Sequence, residues 1–311
     1  MEQAGIVTHA PDGPAFAPKS ASLTGRLAGP PYSASYRPLY DRPKIDCHCH
    51  VFDPDAFPYA PDTPYAPAGG EIATADYFGA VMDAYGVRHA LLVGPNSGYG
   101  LDNRCMLDAI ARGAGRFKGI AVLDLDCGHD ELQELKARGV VGAAFNVAML
   151  GLDFYARADA LFERLAALDL LVQVQVQHDD MVTLAPRLRG CGARILVDHH
   201  GRPDLSQGLA GAGFAAVLAL AGTGRAYVKL SGHDKFSQLP YPFADTEPYT
   251  RELFQAYGAS HCLWASDWPH LRARQRLDYG TTLSLFAQRV TDPADQQAIL
   301  WDTPRRLFGF A

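Results

Sequence analysis

The sequence predicts an α/β protein folded as a closed (β/α)8 (TIM) barrel with an irregular N-terminal extension. Three observations lead there. From Lys44 onward, short runs rich in Val, Ile and Leu alternate with amphipathic stretches of helical period, the marks of strand and helix in turn. The runs make eight βα units, which fit a closed parallel barrel better than an open sheet. The length of 311 residues suits one barrel of about 250 residues plus additions, and 48% hydrophobic with 20% charged residues allows an ordinary large core.

Residues 1–43 stand apart. They are rich in Pro, Gly, Ala and Ser and show neither period, so they read as an extended arm lying on the barrel or on a neighbouring subunit. The barrel is expected over 44–311, with strands at 44–51, 89–95, 117–124, 140–147, 170–177, 194–200, 225–231 and 261–267. Helical stretches follow, among them 103–113, 130–138, 157–168, 214–221 and 281–290. Gly139 and Gly222 stand where left-handed caps would end helices. The closing PADQQAILWDTPRRLFGF reads as one more helix and a docking tail.

Bulk properties exclude several roles. No apolar run approaches the roughly 18–20 residues of a membrane span, and the N-terminus has neither basic start nor apolar stretch, so a cytoplasmic protein without signal peptide is expected. A formal charge of −6 without a basic run argues against nucleic acid. An anionic substrate must then be met by locally placed Arg or Lys. Cys47, Cys49, Cys105, Cys127, Cys191 and Cys262 are scattered and form no CxxC pair, which suits reduced core thiols. No GxGxxG follows the first strand, so a dinucleotide fold is not indicated.

In a barrel, catalytic groups gather at the C-terminal ends of strands. In IDCHCHVF, His48 and His50 are two apart and share one strand face, so both imidazoles can enter the barrel mouth. Cys47 and Cys49 then face the helices. Two inward histidines are costly in a core but can bind a metal or polarise a carbonyl. In ILVDHHGRPD, alternation lets only one of His199 and His200 share the inward face; Asp198 and Arg202 flank them, Arg202 on a loop that could simply be solvated. CLWASDWPH places Asp267 and then His270 after the last apolar strand. Asp267 there could take a proton from water as general base, its alternative being a helix N-cap. YVKLSGHDKFS offers Lys229, His233 and Lys235, with His233 read as structural. His9, His89, His129 and His261 are read as surface residues.

Taken together, IDCHCHVFDP, DHHGRPD and LWASDWPH resemble the amidohydrolase-related family that includes the pyrone dicarboxylate lactonases. The likeness runs from about Lys44 to the end, through YAPDTPYAP, GLDNRCMLDAIA, RFKGIAVLD and TPRRLFGF. It implies hydrolysis of a lactone, with Asp267 activating water and His48, His50 and His199 polarising the carbonyl. Tyr65, Arg202 and His270, with Asn96 or Ser97, would hold the substrate. The chain departs from the pattern at the end of strand four, where GAAFNVAMLG carries Ala144 and Asn146 instead of arginines, and at Gln175 where a Tyr is expected. The expected substrate is therefore a small acidic lactone of the muconolactone, sulfomuconolactone or pyrone-dicarboxylate kind, its anion met by Arg202, Lys235 or Arg272 and Arg274. No cofactor is expected. The alternative is one zinc ion on His48, His50, His199 and Asp267. Two rival functions are a metal-dependent decarboxylase of the same superfamily and a non-catalytic ligand-binding or scaffold barrel. A homo-oligomer is compatible with the long arm.

Overall fold

A computed structural model describes residues 39–311; residues 1–38, which hold most of the expected arm and His9, lie outside the described residues. Eight parallel strands follow one another in sequence order: β1 (Lys44–Cys49), β2 (Val87–Val93), β3 (Phe117–Ala121), β4 (Val140–Asn146), β5 (Leu171–Gln175), β6 (Ile195–Val197), β7 (Ala226–Lys229) and β8 (Cys262–Leu263). The ring closes between β8 and β1. There Cys47 N bonds Trp264 O at 3.2 Å, Asp267 N bonds His48 O at 2.9 Å and His50 N bonds Trp268 O at 2.9 Å. The fold is the expected TIM barrel.

Helices α1 (Ala75–Ala84), α2 (Arg104–Arg112), α3 (His129–Ala137), α4 (Asp159–Ala167), α5 (Asp180–Gly190), α6 (Ala212–Leu220), α7 (Glu247–Tyr257) and α8 (Tyr279–Arg289) each follow a strand, and α9 (Thr303–Phe308) ends the chain. Strand side chains divide by alternation. Leu92, Ala121, Val172, Val197, Val228 and Trp264 pack outward with helix residues such as Phe78, Met82 and Phe162. Leu91, Val93, Ile120, Leu171, Leu196, Leu263 and Ala265 form the interior cluster with Leu307, Phe308 and Phe310 of the C-terminal tail. The tail caps the N-terminal end of the barrel. Phe310 stacks on His89 (4.6 Å between centroids) near the start of β2, and Arg194, just before β6, donates to Leu307 O at 3.1 Å. His89 is thus half-buried rather than a surface residue.

Several expectations are corrected. Strands end earlier at their C-termini than apolar runs suggest, because the residues beyond turn into the mouth. Gly139 has the left-handed φ of +95° expected of a cap, but after α6 that role falls to Gly224 (φ +64°), not Gly222. Residues 39–43 sit on the barrel: the buried Lys44 Nζ donates to Tyr40 O (3.1 Å), Arg42 O (2.8 Å) and Tyr85 O (2.6 Å). Cys49 faces the helices as expected, but Cys47 belongs to the interior cluster. The reason is an irregularity in register. Asp46 pairs with Ala90 and Cys49 with Leu92, so β1 carries one extra residue, a bulge that shifts its alternation.

No helix among the described residues is long and apolar enough to cross a membrane. Phe308 is 2% exposed within the interior cap, so Phe308→Ala should cost about 3–5 kcal/mol in urea unfolding. A loss under about 1 kcal/mol would show that the tail does not seal the barrel.

Candidate active site

The bulge in β1 decides which side chains reach the mouth. Ile45 and Cys47 point inward, and the extra residue allows His48 to point inward as well, followed by His50. Asp46, facing the other way, ties this segment to the end of β8. Its Oδ1 accepts from His48 N (3.2 Å) and Ser266 N (2.9 Å), and its Oδ2 from Ser266 Oγ (2.5 Å) and Tyr279 OH (2.8 Å). Burial pushes the Asp46 carboxyl up, against these hydrogen bonds. Asp46 therefore holds the backbone of His48 and of the residue before Asp267 in one frame.

Within that frame three imidazoles converge on a single oxygen. The Nε2 atoms of His48, His50 and His199 lie 3.7, 3.9 and 3.6 Å from Asp267 Oδ1. Lys235 Nζ stands 3.3 Å from Asp267 Oδ2. Burial alone would raise this carboxyl, but Lys235 and the surrounding imidazoles hold it well below the usual carboxylate range. Burial holds His199 neutral and, with His48 beside it, lowers His50 to about 4.

The partners assign the protons. His50 Nδ1 donates to Val93 O at 2.8 Å, so its Nε2 is a bare acceptor. His48 is the opposite case. Its Nδ1 lies 3.0 Å from Lys229 Nζ, which only donates, and 3.3 Å from Asp198 Oδ1, which only accepts and is already met by Lys229 at 2.8 Å. The shorter contact puts the lone pair on Nδ1 and the His48 proton on Nε2, toward Asp267. Lys229 is fully buried and also reaches Asp198 Oδ1 and Gln173 Oε1, both at 2.8 Å, while Gln173 Nε2 donates to Asp198 Oδ2 at 2.9 Å. The Asp198 carboxyl is raised by burial but lowered much further by Lys229 and His48.

His199 reaches the centre by a backbone device. Asp198 already takes the inward place at the end of β6, and His199 and His200 follow with left-handed φ of +50° and +60°. Arg202 (+43°), Asp267 (+61°) and His270 (+64°) share this sparsely populated region, the kind of local strain that collects at functional sites. Gly232 makes room for the His199 ring: a Cβ there would lie 2.5 Å from His199 Cγ. His199 Nδ1 meets Ser231 Oγ at 3.0 Å. His200 turns into the wall, its Nδ1 donating to Ser231 O and its Nε2 meeting Thr250 Oγ1, both at 3.0 Å. His233 bonds Thr246 Oγ1 at 2.9 Å and stays structural.

A cavity of about 520 Å3 opens over this centre. Its lining includes His48, His50 and Asp267 with Asn96, Ser97, Arg202, Lys235, Arg272 and Arg274, and adds Asn146, Gln173 and Gln175. Arg202 is not a solvated loop residue. Its guanidinium forms no hydrogen bond or ion pair within the described residues, and its Nε is buried without a partner. Two expected substrate-binding residues are placed differently. Tyr65 does not line the cavity; its hydroxyl donates to Glu71 and its ring lies 5.2 Å from the Arg272 guanidinium, so Arg272 stands between it and the mouth. His270 is buried behind the lining, its Nε2 without a hydrogen-bond partner. Sequence reading missed Asp46, Gln173 and the Asp198–Lys229 pair. The signal was available, since an Asp and a Lys ending two adjacent apolar strands must find partners or a use.

Eight strands with imidazoles and a carboxylate at their C-terminal ends define the class of barrel hydrolase sites. The family comparison agrees: the amidohydrolase model matches residues 45–310, and the chain belongs to that family. It is 34% identical over 274 residues to a 4-sulfomuconolactone hydrolase of Rhizobium radiobacter, covering 85% of this chain and 89% of that protein. It is 29% identical over 293 residues to a 2-pyrone-4,6-dicarboxylate hydrolase of Comamonas testosteroni, covering 89% and 94%. Among solved structures, a probable 2-pyrone-4,6-dicarboxylic acid hydrolase of Acinetobacter baumannii, determined with citric acid bound, superposes with a TM-score of 0.78 at 30% identity, covering 86% of this chain and 99% of that one.

Removing one member of a buried ion pair leaves the other uncompensated, so Lys229→Met should cost about 3–5 kcal/mol in urea unfolding. The double variant Asp198→Asn, Lys229→Met should recover most of it. A single-variant loss below about 1 kcal/mol would show that the pair is not held dry.

Proposed function

We propose that this protein hydrolyses a small acidic lactone of the muconolactone, sulfomuconolactone or pyrone-dicarboxylate kind, in the setting of aromatic-ring degradation. The observation that carries this reading is the convergence of three imidazoles on Asp267 Oδ1 at the floor of a cation-lined cavity. The identities to lactone hydrolases over most of the chain support it.

Asp267 is the base. Kept anionic by Lys235, it takes a proton from a water whose other contact is the bare His50 Nε2. The water oxygen attacks the lactone carbonyl, and the oxygen that gains negative charge is met by His48 Nε2–H, with His199 on its other side. Collapse breaks the ring C–O bond, and the proton held by Asp267 passes to the departing oxygen, leaving an open-chain acid. Arg202, whose guanidinium makes no hydrogen bond or ion pair among the described residues, holds the substrate's anionic group, with Lys235, Asn96 and Ser97 in the same lining. Tyr65 and His270 act from behind this lining, Tyr65 by positioning Arg272.

We propose that the reaction needs no cofactor. His48, His50 and Asp267 bring ligand atoms within 4.8 Å of one another, a donor set that fits one zinc ion with His199 as a fourth member. Such an ion would supply carbonyl polarisation and a more acidic water. Two features favour the metal-free reading. His48 carries its proton on Nε2, where a ligand needs a lone pair, and Lys229 already supplies the cation between His48 and Asp198. The decarboxylase alternative requires the metal. The scaffold alternative has no use for a buried carboxylate surrounded by imidazoles.

Three outcomes follow. Asp267→Asn should lower kcat by about 10²–10⁴-fold while leaving ligand binding and unfolding midpoint near those of the parent; unchanged turnover would support the scaffold. Because Asp267 is held low and His50 is lowered to about 4, kcat/KM should stay level as pH falls to about 5 and decline only below that. An inflection near the ordinary imidazole value of about 6.5 would contradict the assignment. Protein purified without added metal should open lactones before and after chelation. One equivalent of zinc, with activity lost on its removal, would instead make the imidazoles ligands and revive the decarboxylase.

A further inference from the structure

The cavity has a side that the hydrolytic step does not use. Asn146 ends β4, Gln175 ends β5, and the two residues are aligned in the β4–β5 register. In an eight-stranded ring these strands lie across the mouth from β8 and β1, which carry Asp267, His48 and His50. Both amides line the cavity.

Their hydrogen bonds fix which way each amide faces. Asn146 Oδ1 accepts from Met149 N at 3.1 Å and from Gln175 Nε2 at 3.0 Å, which occupies both of its lone pairs. Turning Asn146 over would forfeit the Met149 amide; turning Gln175 over would set two carbonyl oxygens against each other. What remains for a ligand is the Asn146 Nδ2 amino group beside the Gln175 Oε1 carbonyl. Neither has another hydrogen-bond partner among the described residues.

A donor next to an acceptor, without charge, reads a particular chemistry. A carboxylate or sulfonate placed there would meet the Gln175 carbonyl lone pairs and no cation on β4 or β5, so its desolvation would go uncompensated. A hydroxyl satisfies both groups at once, accepting from Asn146 Nδ2 and donating to Gln175 Oε1. Arg202, Arg272 and Arg274, none of them in an ion pair among the described residues, line the cavity elsewhere and provide for the anionic part of the substrate.

We infer that the substrate is an acidic lactone carrying a hydroxyl, in place of an anionic group, on the side of the ring remote from Asp267, read by the Asn146–Gln175 amide pair. The inference rests on the lactone-hydrolysing chemistry proposed for this site and goes beyond the lactones named above, none of which carries such a hydroxyl. Hydrolysis of such a compound adds one water across the ring ester and yields a hydroxylated diacid.

The test compares two probes on the full-length protein: a hydroxylated lactone with one carboxylate, such as glucaro-1,4-lactone, and the dianionic 2-pyrone-4,6-dicarboxylate. The parent should favour the first in kcat/KM. Gln175→Met, which keeps the volume and removes both the acceptor and the bond that orients Asn146, should lower kcat/KM for the hydroxylated probe by about tenfold, chiefly through KM. Asn146→Arg should move preference toward the dicarboxylate. The pH profile of kcat, set by Asp267, should be unchanged in both variants, while Asn146→Arg, which loses the bond from Met149 N, should lower the unfolding midpoint modestly. Equal or better use of the dicarboxylate by the parent, or indifference of the hydroxylated probe to Gln175→Met, overturns the inference and leaves the lactonase reading standing. If neither probe nor any simple lactone is opened, both fall together.

Discussion

Everything at the mouth of this barrel depends on keeping one carboxylate, Asp267, charged while nearly removed from water. An ion of that size loses several kcal/mol on burial even after relaxation, and the surroundings are arranged to offset it. Lys235 stands against one oxygen and three imidazole edges against the other. The compensation is uneven by design of the network. His48 presents a proton because Lys229 occupies its far nitrogen, whereas His50 presents a lone pair because Val93 O holds its proton. One centre thus holds a carboxylate, an N–H donor and a bare acceptor, the three groups on which the proposed attack of water on an ester relies.

The seam of the barrel supplies the frame for this centre. β8 is the shortest strand, and its link to β1 relies on three main-chain bonds and on Asp46. That economy has a function: by ending regular pairing early, the chain frees Ser266, Asp267 and Trp268 to turn, and Asp46 restores the order that the lost ladder would have provided. The bulge in β1 does the same on the other side, bringing His48 inward where strict alternation would send it among the helices. Local irregularity and catalytic geometry have one origin here.

The fold was legible because its signals are repetitive. Apolar runs and helical periods recur eight times, and a mistake of two residues at any end leaves the topology intact. His48, His50, His199 and Asp267 were legible for a different reason: polar groups directly after apolar strands are costly unless used. What could not be read depended on backbone details. Cys47 was assigned to the helix face because a bulge leaves no trace in residue type. The Asp198–Lys229 pair escaped because its members are 31 residues apart, on two expected strands whose side-chain pairing spacing alone does not show. Tyr65 and His270 were carried over on resemblance, and their distance from the cavity lining follows from Glu71, Arg272 and a left-handed turn that spacing alone does not reveal.

The central claim is that Asp267 activates water and does not itself attack the ester. A single turnover in H2¹⁸O, with enzyme in excess over a lactone that it opens, tests this directly. General-base chemistry predicts that the new carboxylate carries ¹⁸O in the first turnover and that the Asp267 peptide gains none. Unlabelled product in that turnover, with ¹⁸O entering the Asp267 carboxyl, would mean that the aspartate is the nucleophile and would contradict the account.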